Sequence, residues 1–467
     1  MSPLKNRISL LRNQRFLITK KFGIMKKSNL DVYLLLPIKN FIEKKTSVGV
    51  SLIISSLLAL LLANSPLKGF YHDFWQQEIY IGFNDFVINK SLHHWINDGL
   101  MSMFFFIVGL ELKREILYGE LSSLRKASLP VFAAIGGMLV PAFIYMLFNF
   151  GTDSASGWGI PMATDIAFAL GILYLLGDQV PVSLKIFLTA IAIADDMGAV
   201  LVIAFFYTEQ ISIQSLGIGL FFLLILLLAN FSGIRNMLFY GIMGIGGLWL
   251  ATMLSGIHET IAAVLAAFAI PTTKRINTAI FLRKAKFMSN RIKNLMKRPF
   301  LTIQKNQEEI SHTVEKFSLL AQDATPPLQR IEHSLQPFVS FVVLPLFAFA
   351  NAGVSFNSDS FSYFLKPVSL GIILGLILGK FLGIVLFTKL MVKLGIAELP
   401  KNVQWKHIYG VGLLGAIGFT MSLFITELAF SSEIYLNQAK IGVFSGSLLA
   451  GVIGYFYLKY INRSIEN

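Results

Sequence analysis

Ile186-Phe-Leu-Thr-Ala-Ile-Ala-Ile-Ala-Asp195-Asp196-Met-Gly-Ala-Val-Leu-Val-Ile-Ala-Phe-Phe-Tyr-Thr208 is an apolar run of 23 residues whose charged members are two adjacent acids at its tenth and eleventh positions. As an α-helix rising 1.5 Å per residue, the run puts both carboxylates about 15 Å from either end, at the midplane of a hydrocarbon layer about 30 Å thick. An ionisable group at that depth costs about 2.5–3.5 kcal/mol, so one that stays there is a candidate for function. A helix start at the pair is a poor alternative, because no turn residue precedes it and the apolar run continues on both sides. Adjacent helical positions point about 100° apart, so one acid can face a cavity while the other faces a neighbouring helix.

The rest of the chain has the same character. Of its 467 residues 55% are hydrophobic and 14% charged, and mean hydropathy is +0.66, where a soluble domain carries about 25% charged residues. That excludes a soluble globular protein, a disordered chain and a nucleic-acid-binding domain. Zero cysteines exclude disulfides and thiolate metal sites. Apolar stretches at 47–64, 94–111, 128–149, 157–176, 186–208, 212–230, 236–254, 256–271, 335–354, 367–388, 408–429 and 440–458 predict an all-α polytopic membrane protein with about twelve transmembrane helices.

Positive residues collect on the cytoplasmic side of a membrane protein. With both termini inside, the cytoplasmic segments hold 35 of the 40 lysines and arginines, and the opposite side holds Lys68, Lys90, Lys366 and Lys440. The remaining one, Lys380, lies within a span. The net charge of +14 is therefore topological in origin, with no polyanion partner needed. Residues 1–46 carry eleven basic side chains against Asp31 and Glu43. They read as a basic cytoplasmic tail near anionic headgroups, leading into an uncleaved first span, with Met25 as an alternative start.

Four segments complete the organisation. Spans one to eight cover 47–271 and enclose an outside β-hairpin at 78–89, where two β-rich runs flank Gly82–Asp85. A basic cytoplasmic insertion at 272–331 places Arg283, Lys284, Lys286, Arg291, Lys293, Lys297 and Arg298 among Phe, Met, Leu and Ile. It reads equally as a surface-lying amphipathic helix or a solvated linker. Spans nine to twelve cover 332–462, and 463–467 form a C-terminal tail.

Two spans look breakable. Gly157-Trp-Gly-Ile-Pro161-Met-Ala-Thr164-Asp165-Ile-Ala-Phe-Ala-Leu-Gly171 combines a proline, which lacks a backbone donor, with an acid able to neutralise an exposed helix N-terminus. Gly412-Leu-Leu-Gly415-Ala-Ile-Gly418-Phe-Thr420-Met-Ser422 is its counterpart, with glycines and hydroxyls but no charge. Spans three to five and ten to twelve are thus two triplets, each with an interrupted middle helix (spans 4 and 11). Paired interruptions of this kind point to a transport site at the interface of two inverted repeats. Glycines also occur in membrane helices simply for packing.

Lys380 is the cation in the middle of a span, with about eight apolar residues between it and Lys389, too far from the surface for easy snorkelling. One cation cannot neutralise three midplane acids, Asp165, Asp195 and Asp196. Burial favours the protonated carboxyl and a nearby cation favours the carboxylate, so protons and metal ions compete for the same oxygens. Hard oxygen ligands from Asp196, Asp195, Asp165 and Thr164 suit an alkali cation and offer little to zinc or copper. A site open to one side of the membrane at a time converts that competition into exchange.

Ala163-Thr-Asp-Ile-Ala-Phe-Ala-Leu-Gly171, Ala192-Ile-Ala-Asp195-Asp196-Met-Gly198, Gly109-Leu-Glu-Leu-Lys-Arg-Glu115, Leu346-Phe-Ala-Phe-Ala-Asn-Ala-Gly353 and Gly418-Phe-Thr-Met-Ser422 closely resemble the NhaA-type sodium/proton antiporters, over about 47–271 and 330–462. Inverted repeats are already described for that family, so agreement on this point is not independent support. The resemblance implies an inner-membrane antiporter, pH-regulated and without cofactor, exporting Na⁺ and also Li⁺ for protons. It also implies a homodimer joined through the 78–89 hairpin. Asp196 resembles the principal ion-binding carboxylate, and Asp195 its partner, pairing with Lys380 in the sodium-free state. Thr164 and Asp165 resemble the residues where the broken helices cross. Glu111, Arg114, Glu332 and His333 match the cytoplasmic funnel and pH-sensing cluster, and His258 a histidine linked to pH response. On the residues alone, Glu111 and Arg114 read equally as a surface i, i+3 pair and His258 as a solvated turn histidine.

The chain departs from the family pattern in three places. Phe381 replaces an expected proline beside Lys380, Gln336 stands where a histidine occurs, and the 272–331 insertion is unusually long and basic. Two other classes compete with an antiporter. A cation channel or sensor would share the scaffold. An intramembrane aspartyl protease would need a Gly-x-Gly-Asp signature, and Tyr174-Leu-Leu-Gly177-Asp178 lacks the first glycine.

Overall fold

The computed structural model describes residues 46–83, 86–208, 212–296, 303–355 and 360–466. The basic tail up to residue 45, Met25 within it, and Lys297 and Arg298 of the insertion lie outside the described residues. Each of the twelve apolar stretches forms helix. In chain order the principal helices are α1 (Thr46–Ala63), the short α2 (Lys68–Gln76), α3 (Met101–Tyr118), α4 (Leu124–Asn149), α5 (Ile166–Leu175) and α6 (Val182–Phe206). There follow α7 (Ile213–Phe231), α8 (Met237–Met253), α9 (Glu259–Ala269), α10 (Thr278–Met296), α11 (Ile303–Asp323) and α12 (Pro327–Asn351). The last four are α13 (Pro367–Lys393), α14 (Trp405–Gly415), α15 (Phe419–Ala429) and α16 (Glu433–Glu466).

Among the described residues, eight helices are long and apolar enough to cross a membrane, or nine with α14 and α15 taken as one span bent by 43°. The fold is that of an α-helical membrane protein. The other three predicted spans fall short of that measure for physical reasons. α3 carries Glu111, Lys113, Arg114 and Glu115 in its last two turns, and α8 and α9 are short.

Strands β1 (Glu78–Phe83) and β2 (Phe86–Ser91) pair antiparallel, Tyr80 opposite Asn89, as the alternating sequence predicts. The insertion departs from a solvated linker. α10 and α11 pack on each other, with the rings of Phe281 and Phe317 6.4 Å apart and Leu295 and Leu320 buried. Two amphipathic helices that meet can cover each other's apolar stripes, which a single surface helix cannot.

The core that positions the site is the packing of α13 on α4, the most extensive helix contact in the fold. At their crossing Gly136 meets Gly383, and a Cβ on either would collide with the other's backbone. This close approach of backbones is the usual means of helix association where lipid supplies no hydrophobic drive. It carries Lys380 into the interior, where the residue is 1% exposed. Without the expected proline at Phe381, the local distortion beside Lys380 takes another form: a π-helical turn over Gly375–Lys380. An extra residue in such a turn re-aims the side chains that follow it.

Candidate functional site

α6 runs unbroken through the acidic pair, from Val182 to Phe206. Asp195 and Asp196 are each 1% exposed, which excludes a helix start or an aqueous loop. The two point different ways, as their adjacent positions require. Asp195 Oδ2 lies 2.5 Å from the Lys380 ammonium, whereas Asp196 has no ion pair among the described residues. Asp195 Oδ1 and Asp196 Oδ2 are buried and accept no hydrogen bond. Lys380 attracts the Asp196 charge, and Asp195, Asp165 and Glu111 repel it.

Span 4 is interrupted where its sequence suggests. A 3₁₀ segment, Asp153–Met162, leads into extended backbone at Ala163 and Asp165 before α5 begins. Pro161 lies one residue from the end of the 3₁₀ segment. Gly171, by contrast, sits inside an intact helix, where it faces Gly49 of α1 at close range. Span 11 breaks between Gly415 and Phe419, and the two breaks cross.

At the crossing each segment completes the other's hydrogen bonds. Thr164 Oγ1 donates to the Gly415 carbonyl at 2.9 Å, and Ser422 Oγ donates to the Ile160 carbonyl at 2.7 Å. The Asp165 amide donates to the Ile417 carbonyl at 2.6 Å. These bonds satisfy backbone groups that a broken helix would otherwise strand in hydrocarbon.

Asp165 serves both helix N-termini at once. Its Oδ1 accepts from the Phe168 amide of α5 at 2.9 Å, while Oδ2 accepts from the Thr420 amide of α15 at 3.2 Å and from the Thr420 hydroxyl at 2.5 Å. One carboxylate thereby neutralises two positive helix ends. Lys380 completes the arrangement from the opposite sign, donating to Thr164 Oγ1 at 2.7 Å near the negative end of α14. The structure thus brings Thr164, Asp165, Asp195, Asp196 and Lys380 together. Both oxygens of Asp165 are engaged, whereas the α6 pair keeps one buried oxygen on each acid, Asp195 Oδ1 and Asp196 Oδ2, without a hydrogen-bond partner.

The second group of expected residues lies apart. Arg114 pairs with Glu332 and, at 3.4 Å, with Glu115, rather than with Glu111. This is a contact between α3 and α12 and not a local i, i+3 pair. Glu111 instead accepts from Gln336 Nε2 at 3.4 Å, so the glutamine in a histidine's place holds the acid. Glu332 is buried, with its second oxygen unbonded. His333 is exposed. His258 is half-buried at the turn before α9, next to Glu259.

Two polar groups escaped the reading of the sequence. Thr420 stood among quoted hydroxyls without a role, although its helix-start position opposite Asp165 was the available signal. The partly buried pair of Lys440 with Glu427, at 2.8 Å, spans the short break between α15 and α16. Its signal was opposite charges flanking one loop.

Residues 39–458 match the family model described as Na⁺/H⁺ antiporter 1. The chain is 47% identical to the Na(+)/H(+) antiporter NhaA of Oleidesulfovibrio alaskensis, over 93% of this chain and 96% of that protein. It is 46% identical to the Na(+)/H(+) antiporter NhaA of Wolinella succinogenes, over 90% and 92% of the two chains. It is 47% identical to that of Acidithiobacillus ferrooxidans, over 92% and 98%. With its two crossed, interrupted helices and its buried acid pair, this chain belongs to the Na⁺/H⁺ antiporter 1 family.

Proposed function

We propose that the protein exchanges Na⁺, and also Li⁺, for protons across the bacterial inner membrane. The supporting observation is the charge excess at the crossing: one buried lysine faces two adjacent carboxylates whose free oxygens, Asp195 Oδ1 and Asp196 Oδ2, have no hydrogen-bond partner. A pair of unmet anionic oxygens in low dielectric takes up either a proton or a small hard cation. Thr164 adds a third oxygen within reach of Lys380. Na⁺ binds at Asp196, Asp195 and Thr164 and displaces Lys380 from Asp195. Asp165 acts as the fixed charge that holds the two broken helices together.

In this reading twelve helices cross the membrane and both termini are cytoplasmic, in keeping with the 35 basic residues assigned to one side. The repeats rock about the crossing to expose the site to each side in turn. Arg114, Glu332, Glu111, His333 and His258 adjust the pH at which exchange starts, and two copies associate through the hairpin.

The test is purified protein in proteoliposomes, with Na⁺, Li⁺ and K⁺ gradients imposed over a range of pH. Na⁺ and Li⁺ should drive proton movement at zero membrane potential. Cation flux that needs a voltage or counter-ion path would replace this reading with the channel alternative.

A further inference from the structure

A second cluster of ionisable groups lies away from the crossing, at the end of the bundle that carries the hairpin. His94, Asp98 and Glu259 each present one ligand atom, and these atoms lie within 4.8 Å of one another. The set draws on two elements. His94 immediately precedes a π-helical turn, Trp95–Leu100, at the start of α3, Asp98 lies within that turn, and Glu259 is the first residue of α9. π-Helical turns often mark functional positions. Here the turn is also pinned, since Ser102 Oγ donates to the Asp98 carbonyl at 2.5 Å and the Trp249 indole donates to Ser102 at 2.9 Å.

Packing explains little of this cluster. Asp98 and Glu259 are 9% and 7% exposed, so two like charges are buried side by side, an arrangement that costs free energy unless something neutralises it. His94 Nε2 reaches Asp98 Oδ2 at 3.0 Å. The Glu259 carboxylate takes no hydrogen bond from any other described side chain, its own amide being its donor. Lys90 lines the same cavity and forms no ion pair with either acid among the described residues.

The cavity holds about 10 Å³ and is lined by Trp95, Trp249 and Met253 beside the three side chains. That admits one water-sized species and excludes any organic ligand. One imidazole nitrogen and two carboxylate oxygens, with room for a water, are the donor set of a three-ligand zinc site. Calcium and magnesium require six or more oxygens and fit poorly. Ligands about 2.0–2.1 Å from a tetrahedral ion stand roughly 3.3 Å apart, close to the existing His94–Asp98 spacing. Small side-chain rotations bring Glu259 in.

From this geometry we infer that His94, Asp98 and Glu259 form a binding site for a single divalent zinc-like ion, tying the start of α3 to the start of α9. The site is separate from the Na⁺ carboxylates: the ion would take one ligand atom from each of His94, Asp98 and Glu259, at the starts of α3 and α9.

The probe is Zn²⁺ itself, added to detergent-purified, chelator-treated full-length protein and followed by equilibrium dialysis and by the melting temperature. One Zn²⁺ per chain should bind and raise the melting temperature. Glu259→Gln and His94→Ala should each weaken binding tenfold or more. Asp196→Asn should bind Zn²⁺ as the parent protein does, which separates this inference from the transport reading. His94 is partly exposed, so its variant carries the test if the glutamate variant does not fold. Absence of stoichiometric binding, or binding unchanged in either folded variant, overturns the inference.

Discussion

Among the described residues one lysine–carboxylate pair is buried and another partly buried, and they differ in what surrounds them. Lys440 and Glu427, 2.8 Å apart and each 13% exposed, balance one for one beside a loop. Lys380 and Asp195 are sealed at 1% exposure each, and a second carboxylate, Asp196, lies next in sequence without a cation of its own. The first pair is electrically complete and serves as a clasp. The second is one positive charge short, a deficit that the proposed Na⁺ binding would fill. Burial alone does not distinguish a structural pair from a working one; the local charge count does.

The largest expected effect falls on the unpaired acid. Asp196→Asn removes the excess charge at nearly constant shape, and Na⁺-driven proton movement in proteoliposomes should fall to that of protein-free vesicles while melting changes little. Full exchange in this variant would break the comparison at its centre. Lys380→Ala comes next. It leaves Asp195 buried without its partner, a loss on the order of 3 kcal/mol for a buried pair, although protonation of the acid relieves part of it. Thermal stability should therefore fall more than exchange does, and an unchanged melting temperature would argue that the pair contributes nothing.

Thr420→Val sharpens the contrast from within the crossing. It removes the 2.5 Å hydroxyl bond to Asp165 and keeps the amide bond, so the loss should be about 1.5–3 kcal/mol, the range for a hydrogen bond to a charged group. Exchange should slow several-fold, with Na⁺ and Li⁺ affected alike. The smallest effect belongs to the balanced pair: Glu427→Gln should cost about 2 kcal/mol or less and leave exchange within a factor of two. A large transport defect there, with stability intact, would give Glu427 a working role and undo the distinction drawn above.

Much of the site was legible because hydrocarbon makes ionisable residues conspicuous. Asp195, Asp196 and Lys380 stand out in apolar runs by cost alone, and the 100° offset between adjacent positions foretold that the two acids would meet different neighbours. The double duty of Asp165 was not legible. It depends on two breaks, about 250 residues apart in sequence, being brought into register, and no local pattern specifies that. On the residues alone Arg114 stayed open between a surface i, i+3 pair and a cluster residue for the same reason, since Glu332 reaches it from another helix. The insertion was undecided because an amphipathic stripe does not state whether lipid, water or a second stripe will cover it. α11 covers it here.

The reciprocal bonding of the two interruptions bears on how the protein is made. The carbonyls of Ile160 and Gly415 and the amide of Asp165 find their partners on opposite sides of the seam. During synthesis the earlier seam edge enters the bilayer long before residues past 415 have emerged from the ribosome. Until they arrive, the Ile160 carbonyl and the Asp165 amide lack the partners they have in the folded protein. Assembly of this transporter therefore ends with its late-arriving C-terminal helices closing that edge.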